Sequence, residues 1–336
     1  MDKEIPLVSI VTPSLNQGRF IEETILSVKN QTYPRIEHIV IDGGSTDDTL
    51  DILKKYSDSL IWISEPDKGQ SDAINKGWIM AKGEIIAYLN SDDTYMPWAV
   101  ETAVKFLIDN PDVGMVYGDC NIVDEHSRVI GQYPATEFNL SELICSKNMI
   151  PQPTVFFRRQ VLETVGYADV NLHMAMDFDL WVRIGLKYNV QYIPGQFANF
   201  RAYPGTKSME GLYKFVQDHL YTLGKLFSSH ELPEGIASLK RRAYSSVHLM
   251  SGVHYHSLRR MKQARKYFIK AVVIYPKNLV NHPLLLAYLI TSFMGARVTE
   301  LLVGWKRRFT ARPIRKSQMA DDDDGGKTTE GGNTGH

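Results

Sequence analysis

Ile36-Glu-His-Ile-Val-Ile-Asp42-Gly-Gly-Ser-Thr-Asp47-Asp48 passes from an apolar run straight into a turn crowded with Gly, Ser and Asp. A short apolar run bounded by turn residues fits a strand covered on both faces. Gly, Ser and Asp are what tight turns and helix N-caps require. The same succession recurs along the chain. Apolar runs at 8–11, 60–63, 85–89 and 113–117 read as further strands. Thr12-Pro-Ser-Leu-Asn16 follows the first, Glu65-Pro-Asp67-Lys68-Gly69 follows 60–63, and Asn90-Ser91-Asp92-Asp93 follows 85–89. Between the runs, Phe20, Thr24 and Val28 share one helical face, as do Ile74, Trp78 and Ala81. Such alternation predicts an α/β fold with a parallel or mostly parallel sheet covered on both faces. Ligands of such sheets bind beyond the carboxyl ends of the strands. Four polar clusters therefore converge on one rim, where crowded carboxylates repel unless a cation or ligand offsets them.

The 336 residues suffice for one large domain and a smaller appendage. Lys plus Arg equals Asp plus Glu at 38 each, so no charge excess points to nucleic acid as a partner. Two cysteines, Cys120 and Cys145, suit a reduced cytoplasmic protein better than a disulfide-stapled one. The polar start leads directly into a strand too short for a signal core. The longest apolar region, 284–295, falls short of the roughly 20 residues needed to cross a bilayer. Further along, 152–157 reads as a strand, 159–165 as a helix stopped by Gly166, and 177–186 as a helix. From about 211 the chain becomes helical, and 259–276 is similar to the second half of a tetratricopeptide repeat. Residues 317–336 are acidic and Gly-rich and are expected to be disordered.

The adjacent carboxylates Asp92 and Asp93 at a strand end can hold Mg²⁺ or Mn²⁺, hard cations that keep positions open for phosphate oxygens. Such a metal neutralises a departing diphosphate. One of the two aspartates could instead serve as a helix cap for the segment that follows.

Five segments together resemble family 2 of the inverting glycosyltransferases, which have the GT-A fold. They are Val8-Ser-Ile-Val-Thr-Pro-Ser-Leu-Asn16, Ile41-Asp-Gly-Gly-Ser-Thr-Asp-Asp-Thr49, Glu65-Pro-Asp-Lys-Gly-Gln-Ser-Asp-Ala-Ile-Asn-Lys-Gly77, Leu89-Asn-Ser-Asp-Asp93 and Met176-Asp-Phe-Asp-Leu-Trp-Val-Arg183. The resemblance implies a GT-A catalytic domain over 1–210, a helical region over 211–316 and the tail 317–336. It implies that Thr12, Pro13, Ser14 and Asn16 line a nucleotide pocket with Gly43 and Ser45, and that Asp42 accepts a hydrogen bond from the base. Asp67 and the segment 68–72, with Lys68, Gly69 and Asp72, then close over base and ribose, and Asn90 stands at the first position of an Asp-x-Asp motif. Asp93 is the first choice of metal ligand, with Asp92 nearer ribose or metal.

On the same resemblance Asp177 is the general base of an inverting transfer, with Asp179 as the alternative because Met176 replaces the usual preceding acid. Trp181 packs the helix onto the sheet or stacks on a sugar. Arg183 steadies a diphosphate or pairs with Asp179 at i,i+4. Arg201 or Lys207 binds phosphate, and Tyr203 stands where the family often places a metal-binding His.

The expected activity is metal-assisted transfer of a hexose or N-acetylhexosamine from a nucleotide-sugar, most simply a UDP-sugar, to a glycan or lipid-linked glycan of polysaccharide biosynthesis at the cell envelope. The alternative is a nucleotide-sugar-binding scaffold without catalysis. A dinucleotide-dependent oxidoreductase would need Gly-x-Gly-x-x-Gly after the first strand, where Thr-Pro-Ser-Leu-Asn-Gln-Gly stands. The apolar stretch beside the basic residues up to Lys316 makes 284–316 either a peripheral contact with the inner face of a membrane or a helix packed on the catalytic domain.

Overall fold

The computed structural model describes residues 5–133, 135–145, 149–204, 212–229, 231–282 and 284–294. Lys207, the basic residues 306–316 and the tail 317–336 lie outside the described residues. The strands are β1 (Val8–Ser14), β2 (Ile36–Asp42), β3 (Ile61–Ser64), β4 (Ile85–Tyr88), β5 (Thr94–Tyr95), β6 (Val113–Val123), β7 (Val129–Tyr133), β8 (Phe156–Arg158) and β9 (Asn189–Arg201). They form one sheet in the order β3-β2-β1-β4-β8-β6-β9-β5, with β7 on β6. β1, β2, β3 and β4 run parallel, and so do β6 and β9, while β8 lies antiparallel between β4 and β6. The mixed, mostly parallel sheet expected from the strand–helix alternation is the one observed.

Burial follows strand position. All seven residues of β1 are buried, because β2 and β4 flank it and helices cover both faces. The edge strand β3 instead exposes Ile61 and Ile63. One face of the sheet packs against α4 (Ala99–Asp109), joining Ile10 and Val116 to Val100 and Leu107. The other packs against α3 (Gln70–Met80), α6 (Arg159–Val165) and α7 (Met176–Gly185), joining Val11 and Ile39 to Trp78, Val161 and Trp181. α3 can approach β1 this closely because residue 77 is glycine; a Cβ there would stand 2.3 Å from Val11 Cγ1.

One sequence expectation is corrected. Residues 152–157 are not a continuous strand, since Gln152–Thr154 form a 3-10 turn and the strand begins only at Phe156. Pro153 has no N–H for a ladder, and its fixed φ suits the turn. The chain from 211 onward is helical as expected, in α8 (Leu212–Ser228), α9 (Glu234–Ala237), α10 (Lys240–Ser257), α11 (Met261–Ile274), α12 (Asn278–Asn281) and α13 (Leu284–Met294). It does not stand apart at 210, however. Val216, Leu223, Leu226, Ala243 and Val247 belong to the same buried cluster as Val11 and Trp181. A separate small cluster, Ala264, Phe268 and Leu285, begins only at α11 and α13. No helix among the described residues is long and apolar enough to cross a membrane.

Two buried histidines make stability depend on pH. His38 shares a 2.9 Å hydrogen bond with Thr12 Oγ1, and His219 stacks on Phe178 while its Nδ1–H donates to the Phe215 carbonyl. Burial lowers both rings from 6.5 to about 4. The folded state thus binds fewer protons than the unfolded chain between those values. Stability is full above pH 6.5 and falls as pH drops towards 4. Urea midpoints measured across that window should decline, and His219→Gln should remove its share of the slope.

Candidate active site

The carboxyl ends of β1, β4 and β9 and the N-terminus of α3 enclose a cleft of about 470 Å³. Pro13, Ser14 and Gln17 form one wall, and Asp67, Gly69 and Gln70 form another. Asn90, Ser91 and Asp92 make the floor, while Arg201 and Tyr203 close the far side. Pro13, Ser14, Asp67, Gly69, Asn90, Asp92 and Arg201 are thus brought together as the sequence reading grouped them.

Other residues of that reading lie behind the wall and hold it. Thr12 is fully buried against His38. Asp42 is also fully buried, and its oxygens accept from Gly44 N–H, Ser45 N–H, Ser45 Oγ and Ser64 Oγ. It ties the turn after β2 rather than facing the cleft, so Asp42 has no accepting face turned to a base. Asn16, at φ 52°, accepts from Thr46 N–H and donates its own N–H to Ser45 Oγ, locking the β1 and β2 loops together. Gly43 leaves room for Asp67: a Cβ there would lie 2.6 Å from Asp67 Oδ2. The other oxygen, Asp67 Oδ1, accepts the N–H of Gly69, whose φ of +113° is easiest for glycine. Asp72 accepts the Lys68 N–H and so fixes the turn without lining the cleft, and the exposed Lys68 does not line it either.

The paired aspartates divide their work. Asp93 is 1% exposed and turned inward, accepting from Arg201 N–H at 2.9 Å and Asn90 Nδ2 at 3.2 Å. Burial, and then the charge of Asp92, push the Asp93 carboxyl well up. Asp92 is the one that faces the cleft, with Tyr203 Oη 3.5 Å from its Oδ2. Asp93, the first choice of metal ligand from sequence, is thus the buried member of the pair. Among the described residues no three His, Cys, Asp or Glu side chains gather into a cage. Asp92 and the Asn90 amide offer oxygen donors on an open cleft instead. That set suits a hard cation which keeps water and phosphate oxygens in its remaining positions.

Arg201 is buried, and its guanidinium is spent inside the protein. It donates to the carbonyls of Asp92 and Asp124, to Ser127 Oγ and to Glu23 Oε2, and lies 4.6 Å from the Phe20 ring centroid. It holds the Asp92 loop at the edge of the cleft. Gln70, inside the segment 68–72, and Gln152, which sequence did not mark as a site residue, set Asn90. Gln70 Nε2 donates to Asn90 Oδ1 at 2.7 Å, and Asn90 Nδ2 donates to Gln152 Oε1 at 2.9 Å. No spacing rule marks Gln152.

Asp177 stands half-buried in the first turn of α7, outside the lining of the cleft, and its charge helps raise Tyr88 and Tyr133. Its neighbours on α7 turn away from the cleft. Asp179, the alternative base from sequence, is 1% exposed and pairs through its two oxygens with Arg183 Nε at 2.8 Å and Lys225 Nζ at 2.9 Å. Arg183 also donates to the carbonyls of Val165, Gly166 and Tyr167, so it staples α6 to α7. Trp181 is fully buried, edge-on to Phe157, and does not reach an acceptor.

α7 carries no cap of its own; α8 supplies one. Asp218 accepts the N–H groups of His173, Met174 and Ala175 at 2.8, 2.6 and 3.1 Å, and Lys225 bridges Asp169 and Asp179. Removing a charged acceptor from three N–H groups, that of Ala175 buried and the other two partly so, costs about 2 kcal/mol. Asp218→Ala should therefore lower the urea midpoint and release the first turn of α7, which native-state hydrogen exchange at residues 173–177 would show.

The family model described as "Glycosyl transferase family 2" matches residues 9–166. The chain is 34% identical over 185 residues to an uncharacterised glycosyltransferase of Mycobacterium tuberculosis, covering 54% of this chain and 70% of that protein. It is 30% identical over 183 residues to a PGL/p-HBAD biosynthesis glycosyltransferase of Mycobacterium bovis, covering 53% and 69%. Among solved structures, residues 1–349 of S. aureus TarS with UDP-GlcNAc superpose with a TM-score of 0.63 at 18% identity, covering 85% of this chain and 89% of that one. The mannosyltransferase PcManGT of Pyrobaculum calidifontis, with GDP-Man and Mn²⁺, gives 0.58 at 19%, covering 87% of each.

Proposed function

The chain belongs to glycosyltransferase family 2, and from that premise we propose that it transfers a hexose or N-acetylhexosamine from a UDP-sugar to a glycan or lipid-linked glycan, with inversion. The observation that carries this reading is the convergence of Pro13–Gln17, Asp67–Gln70 and Asn90–Asp92 on one cleft, with Asp177 at the start of α7 close enough that its charge, like that of Asp93, acts on the buried Tyr88. In this reading Asp67 accepts the imide N–H of the base, since Asp42 is saturated by its own loop. Asp92, with Asn90 beside it, holds Mn²⁺ or Mg²⁺, which when bound supplies Lewis-acid neutralisation of the diphosphate. Asp93 and Arg201 keep Asp92 in place from beneath.

Asp177 takes the proton of the acceptor hydroxyl as that oxygen forms its bond to the anomeric carbon. The bond from that carbon to the phosphate oxygen breaks in the same step, and its electron pair leaves with the nucleoside diphosphate. Holding donor and acceptor in line is the protein's other contribution. The expected setting is the cytoplasmic side of a membrane, in cell-envelope polysaccharide synthesis.

The test is nucleotide release from UDP-, GDP- and dTDP-sugars, with Mn²⁺ and with chelator. Metal-dependent release from one donor is expected. Donors that bind without turnover, in the presence of candidate lipid-linked acceptors, would favour a binding scaffold. Gly43→Ala probes the base contact, since its Cβ drives into Asp67. Loss of one hydrogen bond to a charged group should weaken nucleotide affinity about tenfold by calorimetry.

A further inference from the structure

Residues 235–294 carry ten Lys and Arg and no Asp or Glu, although the whole chain is balanced at 38 of each sign. The remainder therefore holds a ten-charge excess of carboxylates, and the positive charge is gathered into α10–α13 and their connections. On α11 the buried side is Ala264, Phe268 and Ala271. The opposite side presents Lys262, Lys266 and Lys270 between Ile269 and Val273, all exposed. On α13, Leu285 and Ser292 are buried, and Leu286, Ile290 and Phe293 form an exposed stripe at i, i+4 and i+7. Arg265 of α11, beside the lysine side, lies over the Phe293 ring at 4.3 Å and ties α11 to the exposed stripe of α13. The five apolar side chains are each 46–70% exposed.

We propose that this face of α11 and α13 docks on an anionic lipid bilayer. Its chemistry asks for a negatively charged partner, since the segment has no carboxylate of its own to satisfy its lysines. A bilayer fits better than an acidic protein. Lysine is depleted from the cores of protein–protein interfaces, yet here lysines alternate with the apolar positions. At a lipid surface that alternation works: apolar side chains enter the boundary of the acyl region while lysine stems lie along it and their ammonium groups stay among the headgroups. Electrostatic attraction falls off within a Debye length, so docking weakens with salt. For its purpose, bringing the cleft to a lipid-linked acceptor, the proposal rests on the transfer reading; the binding itself does not.

The test is co-sedimentation of the full chain with phosphatidylcholine vesicles and with vesicles also containing phosphatidylglycerol, with nucleotide-sugar binding measured on the same samples. Binding to the phosphatidylglycerol vesicles alone, weakened by salt, is expected. Lys262→Gln with Lys266→Gln and Lys270→Gln should reduce partitioning by about two orders of magnitude. Phe293→Ser with Ile290→Ser should reduce it at every salt concentration. Circular dichroism and unchanged nucleotide-sugar binding would show that both variants are folded. No binding by the wild type, equal binding to both vesicle types, or binding unaffected by the triple variant would overturn the proposal. So would binding to polyglutamate without binding to vesicles, which assigns the face to an acidic protein. Vesicle binding without sugar transfer would instead sink only the transfer reading.

Discussion

Asp177→Asn should abolish most turnover, lowering kcat by about 10²–10⁴ while nucleotide-sugar affinity stays near the wild-type value. That range is what a positioned general base contributes. The split follows from where Asp177 stands. It lies on the first turn of α7 and not in the lining of the cleft, so its amide isostere removes the proton acceptor without disturbing nucleotide contacts. Asp179→Asn makes a useful contrast. Its carboxylate is buried between Arg183 and Lys225, so its loss should appear chiefly as lost stability. Steady-state kinetics with nucleotide-binding calorimetry would separate the two. Equal losses of kcat in both variants, with the folds intact, would contradict the assignment of Asp177 alone.

Asp92→Ala is the second large effect. Removing a metal ligand beside the diphosphate forfeits several kcal/mol of transition-state stabilisation, about three orders of magnitude in kcat/KM. Part of the loss should return at raised Mn²⁺, because the Asn90 amide remains. Asp93→Ala should behave differently. It leaves the Arg201 N–H and Asn90 amide without their acceptor in a buried place, so the denaturation midpoint should fall. If Asp93→Ala instead spares stability and destroys the Mn²⁺ dependence, the roles of the pair are reversed.

The parallel half of the sheet was legible because β1, β2 and β4 each carry a mainly apolar run that leads directly into turn residues. β9 was not, since Pro194 and Gly195 interrupt it and its register against β6 shifts. The rim of the site was legible to the level of loops. Individual side chains were not, because a motif does not say which of two neighbouring carboxylates points outward. Asp92 and Asp93 differ only in the direction of their side chains, set by Arg201 more than a hundred residues later. Asp42 looked like a ligand because it ends a strand in a recurring motif, and the same position makes it the tie for its own turn. Asp218 gave no local signal at all. It caps α7 from a helix on the far side of the expected boundary at 210, and only packing brings them together.

The most direct measurement of the central claim, single displacement assisted by Asp177, is the anomeric configuration of the product. Proton NMR would follow the accepted donor as it is consumed, reading the glycoside formed or the sugar released to water before it mutarotates. The account predicts the configuration opposite to the donor's at the earliest times. Retention would contradict it, because two successive displacements need a covalent nucleophile, a role different from the proton acceptor assigned to Asp177.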